Sequence, residues 1–396
     1  MKEIDWIDLY ETIMCKLYQR KYDKLFERLS KLSERSYKVE NIVRNNKHSN
    51  QLTKEQRKII KDYWKKYTSD INFKNFNFYM SHSKEFNPRY ISNELFAGYI
   101  EDYFNNLKLA PAFGDKNYFE LYLNGFKIPK TYIHCVDGTF LNDKYEIINQ
   151  DAVINILLAN IPFVIKETIS TSQGDGVKIV EKANLDELTY LINNLKGKNY
   201  IFQEKIKQCD LLAQFNNSSV NVIRIFTYML DNKIYTSNSK FRVGLGDSNV
   251  LGENVVNFFI DSNGKLSNDG FDSNGLFYEN LLYKMVGHDV IIPNINQIKD
   301  LVMKAAQRIP HFKLIGWDIA IDKKYEPVII EYNITSLAPD FLQLNGIPFF
   351  EDNTENVLEK VFVKKREKKI GLKSDQYIQK LKKLFINEKF IYKNNI

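Results

Sequence analysis

The segment from Leu314 to Thr335, LIGWDIAIDKKYEPVIIEYNIT, admits few structures. Two apolar, β-branched runs flank the polar stretch Lys323 to Glu326, the pattern of a β-hairpin. If the hairpin is symmetric about Lys324 and Tyr325, Asp318 lies directly opposite Glu331 and their carboxylates share a face. Asn333 joins that face, because side chains repeat with a period of two along a strand. Like charges set opposite each other destabilise a sheet unless a cation intervenes. The arrangement therefore points to hard oxygen ligands around Mg²⁺, with a Lys or Arg facing either carboxylate as the plainer alternative. Pro327 has no N–H, so this pairing requires it at a non-hydrogen-bonded position.

The surrounding sequence has the same texture. Between about 110 and 350, short β-rich runs are divided by Gly, Asn and Asp turns. Strands are predicted over 163–168, 177–180, 200–206, 222–230, 233–243, 314–321 and 328–332, and helices over 116–123, 185–195 and 295–307. Helices mixed with hairpins, rather than alternating βαβ units, make an α+β fold. Apolar spacing predicts an amphipathic helix over 4–32 and a second one that starts from an N-cap at Thr53 and runs through Ile59, Ile60 and Trp64. The last segment places Tyr377, Leu381, Leu384 and Phe385 along a lysine-rich helix, which would dock on the body, on a partner or on an anionic membrane surface. A chain of 396 residues exceeds one core. The expected division is a helical N-terminal region at 1–75, a lobe at 76–160, a small lobe at 161–207, a larger lobe at 208–352 and a basic helical tail at 353–396.

Charge is distributed unevenly along the chain. Residues 1–66 hold 17 Lys and Arg against 10 Asp and Glu, and residues 360–396 hold 12 against 3. The stretch between them holds 27 against 36, so the middle is acidic and the ends basic. That balance argues against a nucleic-acid enzyme. Three scattered cysteines offer neither a disulfide framework nor a zinc pattern, which suits a reducing cytosol. The acidic N-terminus is unlike a signal peptide, and no apolar run is long enough to span a membrane, so a cytoplasmic location is expected.

Three further segments carry chemistry. In FVIKETISTSQGDGVKIV a strand bearing Lys166 enters a loop with Gly174 and Gly176 and leaves it as a second strand. Backbone N–H groups at such glycines can approach an anion closely. The segment matches neither a P-loop nor a dinucleotide turn, because both lead into a helix. In YIFQEKIKQCD a strand leaves its sheet with Glu204, Lys205 and Ile206 placed to read a purine edge, while Asp210 could reach a ribose hydroxyl. In NVIRIFTY and SKFRVG, Arg224 lies within an apolar strand, and Lys240 and Arg242 alternate on one face. A guanidinium in such surroundings needs an anionic partner, either a substrate or a structural carboxylate.

In this order, a lysine strand, a Gly-rich flap, a Gln-Glu-Lys-Ile hinge, an Asn-x-x-Arg strand, an Asp and a Glu-x-Asn resemble the ATP-grasp superfamily. DKNYFELYL, SVNVIRIFTY, GWDIAI and IIEYNIT resemble its sugar-transfer-associated branch, found in polysaccharide gene clusters. The resemblance spans roughly 110–350 and implies two α+β lobes clasping ATP. It further implies that Lys116 and Lys166 contact phosphates under the Gly174–Gly176 flap. Glu204 and Ile206 would hold adenine, Asp210 the ribose, Arg224 the activated acyl group, and Asp318, Glu331 and Asn333 the Mg²⁺ ions. Where the pattern leads to expect Gln-His, this chain has Gln208-Cys209. The implied reaction is an ATP-dependent ligation of a small carboxylate to an amine through an acyl phosphate, the acid being a small acidic sugar or an amino acid. A kinase acting on an alcohol would use the same nucleotide site, and a non-catalytic glycan-cluster binding protein would lack the metal.

Overall fold

The computed structural model describes residues 51–69, 71–83, 85–169, 176–195, 198–246 and 254–364. The helices expected over 4–32 and around Tyr377 to Phe385, together with Gly174, lie outside the described residues.

Helix α1 (Lys54–Trp64) begins where the sequence places it: the Thr53 hydroxyl accepts from Gln56 N, and the Gln56 side chain accepts from Thr53 N, which closes a capping box. Its Ile60 and Trp64, one turn apart, are buried. Helix α2 (Phe73–Ser83) follows. The expected helix at 116–123 is a 3₁₀ turn, Lys116–Tyr118, running into one α-helical turn, Phe119–Tyr122.

The first sheet has five strands in the order β2-β1-β5-β3-β4, all antiparallel. Its members are β1 (Thr131–Val136), β2 (Thr139–Asn142), β3 (Phe163–Glu167), β4 (Val177–Val180) and β5 (Tyr200–Glu204). Helices α3 (Gln150–Ala159) and α4 (Leu185–Asn194) cover one face, where Val153, Leu157, Leu188 and Ile192 pack on Ile133, Ile165 and Phe202. The boundary expected at 160/161 thus divides the strands of one sheet, because β1 pairs with β5 across it.

The second sheet has seven strands in the order β10-β9-β8-β7-β6-β11-β12, and again every pair is antiparallel. These are β6 (Val222–Leu230), β7 (Lys233–Gly244), β8 (Val255–Ile260), β9 (Gly270–Asp272), β10 (Phe277–Tyr278), β11 (Leu314–Ile321) and β12 (Pro327–Asn333). Helix α5 (Ile295–Ala306) packs on one face, against Ile223, Ile225, Phe241, Trp317 and Ile319. Residues of opposite parity face the other way. At one end of that second face, Phe226, Tyr228, Leu230 and Leu314 join an aromatic cluster with α1, α2 and residues 337–362. Phe271 on β9 belongs to the same cluster, and charge is carried by the stretch of β7, β6, β11 and β12 beside it.

The hairpin β11–β12 pairs Asp318 with Glu331 as the sequence predicts, though by a different route. The loop is centred on Lys324 rather than between Lys324 and Tyr325: Asp322 N donates to Glu326 O, and Tyr325 adopts φ +63°. That would move the pairing by one residue. A β-bulge between the Asp318–Glu331 and Ile319–Ile329 pairs restores it. The bulge is why Ile329 and Tyr332, three residues apart, both reach the same core, leaving Glu331 and Asn333 on the other face. Pro327 opens this edge strand, the position at which a missing N–H costs least.

Candidate functional site

Four directly opposed residues on adjacent strands form one charged row: Lys240 on β7, Arg224 on β6, Asp318 on β11 and Glu331 on β12. The two cations and two carboxylates sit side by side on the face away from α5. Arg224 grips Asp318 with both arms of its fork, Nε to Oδ1 at 2.5 Å and an Nη to Oδ2 at 2.7 Å. Arg242, two residues beyond Lys240, brings an Nη to within 4.0 Å of Asp318 Oδ1. Burial pushes the Asp318 pKa upward, but the Arg224 guanidinium, with Arg242 and Lys240 beside it, offsets this and holds the carboxyl below its usual range. Burial and the neighbouring Arg224 lower the pKa of Arg242.

Lys116 reaches Glu331 from the 3₁₀ turn Lys116–Tyr118, with Nζ 3.6 Å from Oε1. Its turn is fixed at several points: the Asp115 carboxylate accepts from Asn117 N at 3.0 Å, and Lys116 N donates to Thr168 O, just past β3. The buried Asn117 side chain donates to Cys135 O and to the Thr168 hydroxyl, both at 3.2 Å. Lys166, on β3, is half-buried and belongs to the same electrostatic cluster. Burial lowers its pKa to about 8; Glu331 and Asp318 act in the opposite sense and Lys116 reinforces the drop.

The structure therefore brings together Lys116, Lys166, Arg224, Lys240, Arg242, Asp318, Glu331 and Asn333. Five cations meet two carboxylates, an excess of positive charge that suits a polyphosphate. The two carboxylates and the Asn333 amide are hard oxygen donors, the set Mg²⁺ takes when phosphates complete its shell. Among the described residues, no group of three or more His, Cys, Asp or Glu is placed to hold a metal.

Of the remaining candidates, Gly176 lies in the β3–β4 connection of the first sheet, and the others run from the end of β5 along the route to the second sheet. Gly176, at φ +72°, precedes β4. Glu204 ends β5, where its carboxylate accepts from Lys130 N at 2.9 Å. Lys205 pairs with Glu181, and Ile206 is half-buried. Asp210 is exposed in the first turn of the short helix Asp210–Ala213. Cys209 is a core residue at that helix's N-cap.

Several residues act by positioning others, a role that the sequence does not signal. Gln208 and Asn221, both buried, lock the approach to β6: Gln208 Oε1 accepts from Asn221 N at 3.0 Å, and Asn221 Nδ2 donates to Leu212 O at 2.8 Å. A cavity of about 170 Å³ also opens beside the charged row. Its floor is Arg224, Phe226, Lys240 and Asn333, and its wall is the segment after β12, including Ser336 at φ +57°. The only sequence signal for that wall is its position directly after the Glu-x-Asn.

Comparison with known proteins places these features. Residues 96–357 match the family described as sugar-transfer associated ATP-grasp. No curated protein matches the chain. Among solved structures, an N5-carboxyaminoimidazole synthetase from Staphylococcus aureus in complex with ADP is similar at 13% identity and a TM-score of 0.36, over 57% of this chain and 45% of that one. The biotin carboxylase domain of a Hydrogenobacter thermophilus 2-oxoglutarate carboxylase, with MgADP and bicarbonate, is similar at 12% and 0.40, over 62% and 44%. A D-alanine-D-alanine ligase from Coxiella burnetii is similar at 11% and 0.36, over 69% and 61%. The chain spans about half the length of the first two and under two thirds of the third.

Proposed function

The chain belongs to the sugar-transfer associated ATP-grasp family, and we propose that it is an ATP-dependent carboxylate–amine ligase working through an acyl phosphate. The observation that carries this reading is the excess of half-buried cations over carboxylates at the junction of the two sheets. In this reading Lys116 and Lys166 hold the nucleotide's phosphates, with Gly174 and Gly176 in the covering loop, and Glu204, Lys205, Ile206 and Asp210 line the path to the base and ribose. Glu331 and Asn333 are the ligands of a divalent cation, together with Asp318, whose oxygens already serve Arg224. When bound, that cation neutralises charge on the phosphates.

The chemistry balances without a protein nucleophile. A carboxylate oxygen of the acid attacks the γ-phosphorus, the bond from that phosphorus to the β–γ bridging oxygen breaks, and ADP leaves. An amine then attacks the acyl carbon, the carbon–oxygen bond breaks, and phosphate departs while the amine's proton passes to phosphate or solvent. Arg224, Lys240 and Arg242 orient the acid and stabilise the charge that spreads over the transferring group. A role in surface-polysaccharide synthesis, at the stage where an acidic sugar or amino acid is amidated, accords with the family's description.

The test uses hydroxylamine as a surrogate amine. The purified chain with MgATP and a panel of carboxylic acids should release ADP and phosphate and form a hydroxamate. Phosphate retained on the acceptor as a stable ester, with no hydroxamate, would instead identify an alcohol kinase.

A further inference from the structure

The turn that carries Lys116 is held from behind by a buried histidine outside the charged row. His134 on β1 is fully buried, and its ring stacks on Tyr145, 4.4 Å between ring centres and 18° between planes. Its Nδ1 stands 3.2 Å from Oδ1 of Asn117, the residue after Lys116. The Tyr145 hydroxyl donates to the Asn117 carbonyl at 2.8 Å, so Asn117 is gripped at both its side chain and its main chain. Tyr145 reaches that carbonyl from φ +62°, a left-handed conformation that bulky residues seldom adopt.

Hydrogen-bond chemistry fixes the state of the ring. Both hydrogens of the Asn117 amide are committed, one to Cys135 O and one to the Thr168 hydroxyl. Cys135 O can only accept, so the amide nitrogen faces it and the amide oxygen faces His134. An amide oxygen accepts and never donates, so the hydrogen sits on Nδ1 of the histidine. Nε2 then keeps a lone pair, and it has no hydrogen-bond partner among the described residues. Burial lowers the ring's pKa to about 4, with Asp115 and Asp143 acting in the opposite sense, so the ring is neutral near pH 7. A buried nitrogen without a partner is a cost that phenylalanine would avoid at this position. What histidine supplies there, and phenylalanine cannot, is the Nδ1–H that orients Asn117.

That orientation bears on Lys116. With the Asn117 amide reversed, its nitrogen would face Nδ1–H and its oxygen would face Cys135 O, setting donor against donor and acceptor against acceptor. The Lys116–Tyr118 turn would lose its side-chain ties to β1 and to the Thr168 hydroxyl. We propose that His134 is a positioning residue: through Asn117 it holds the Lys116 ammonium at the junction of the two sheets, 3.6 Å from Glu331. Its functional meaning rests on the reading of Lys116 as a phosphate contact, whereas the state of the ring is measured without any ligand.

NMR of the full chain labelled with ¹⁵N-histidine reads the ring directly. The chain has five histidines, and His134→Asn identifies the signal by its loss. At pH 7 His134 should show a protonated Nδ1 and a bare Nε2; the opposite tautomer or a doubly protonated ring would overturn the proposal. Calorimetry with a non-hydrolysable ATP analogue reads the consequence. His134→Phe keeps a ring against Tyr145 but loses the donor, and should weaken the analogue at least about tenfold. His134→Asn keeps a side-chain N–H near the place of Nδ1 and should stay within about threefold of the parent. In a Lys116→Met background, His134→Phe should cost at most a further twofold or so, because its effect passes through the lysine. Circular dichroism checks that each variant folds; where His134→Phe does not, His134→Leu carries the same expectation. A ring that served packing alone would make His134→Asn the worse variant and its loss additive with Lys116→Met, and either result would overturn the proposal. No binding by the parent, or undiminished binding by Lys116→Met, would instead bring down the phosphate reading of Lys116 and the proposal with it.

Discussion

Replacing Arg224 with Met removes a cation and leaves a carboxylate behind. Asp318 would keep its place on a central strand, little exposed, with Arg242 at 4.0 Å and Lys240 beyond it as the remaining cations on that face. Two unit charges 4 Å apart at an effective dielectric of 20 attract by about 4 kcal/mol, and breaking a buried pair by deleting one partner costs about 3 to 5 kcal/mol. Arg242 offsets part of this, so a loss of about 3 kcal/mol is expected for Arg224→Met. The double variant Arg224→Met with Asp318→Leu removes both charges and should recover to within about 1 kcal/mol of the parent, because apolar replacement of a whole pair is often near neutral. Urea unfolding followed by tryptophan fluorescence suits the measurement, since Trp317 is buried beside Asp318 and its Nε1 donates to the Thr227 hydroxyl at 2.8 Å. The pH dependence has a definite sign. The native pKa of Asp318 is depressed, so its contribution is present above the unfolded carboxyl pKa and fades as pH falls through the native one. The gap between parent and Arg224→Met should therefore shrink as the pH falls below the ordinary carboxylate range, because Asp318 protonates first in the variant and only at lower pH in the parent. A single variant within 1 kcal/mol of the parent, or a double variant no better than the single, would refute the reasoning.

Other outcomes follow from the same geometry. Lys166→Met should weaken an ATP analogue by about 30- to 100-fold, the worth of about 2 to 3 kcal/mol for one charged hydrogen bond, as read by calorimetry. Because burial holds the Lys166 pKa near 8, the parent's affinity should decline as pH rises above about 8, by at most tenfold per pH unit, and Lys166→Met should lose that decline. Glu331→Gln should leave the circular dichroism spectrum unchanged and raise the Mg²⁺ concentration needed for ADP release at least tenfold; full activity at low Mg²⁺ would remove Glu331 from the metal site. Gln343→Leu strips the side-chain acceptor from Ile91 N and Phe349 N, while Ile91 O keeps the Tyr79 hydroxyl, and should cost about 2 to 4 kcal/mol in the same urea experiment.

Legibility in the sequence varied with the range of the interaction. The capping box at Thr53 and the strands bearing Arg224, Lys240 and Asp318 are written locally, in a cap and in period-two runs. The pairing of Asp318 with Glu331 was expected from a symmetric turn and arises from two compensating irregularities, a loop centred on Lys324 and a bulge near Ile330. Neither is signalled: Tyr325 carries the positive φ that a glycine would have advertised. By contrast, Asp137-Gly138, both at positive φ, form the turn of the β1–β2 hairpin, a signal present in the sequence that the strand prediction did not use. The cation facing each carboxylate could not be read locally. Arg224 is 94 residues from Asp318, and Lys116 reaches Glu331 from a distant 3₁₀ turn. The cavity wall depends on contacts from Phe78 and Ile91, some 250 residues or more from their partners, and no local pattern announces them.

The central claim is that an oxygen of the acid becomes an oxygen of the released phosphate. It is tested most directly with ¹⁸O-labelled carboxylic acids, MgATP and hydroxylamine, by mass spectrometry of the phosphate formed by the purified chain. An acyl phosphate intermediate predicts that each turnover transfers one labelled oxygen from the acid to phosphate, in step with hydroxamate formation. Phosphate released without label, or label retained in full by the acid while ADP accumulates, would contradict it.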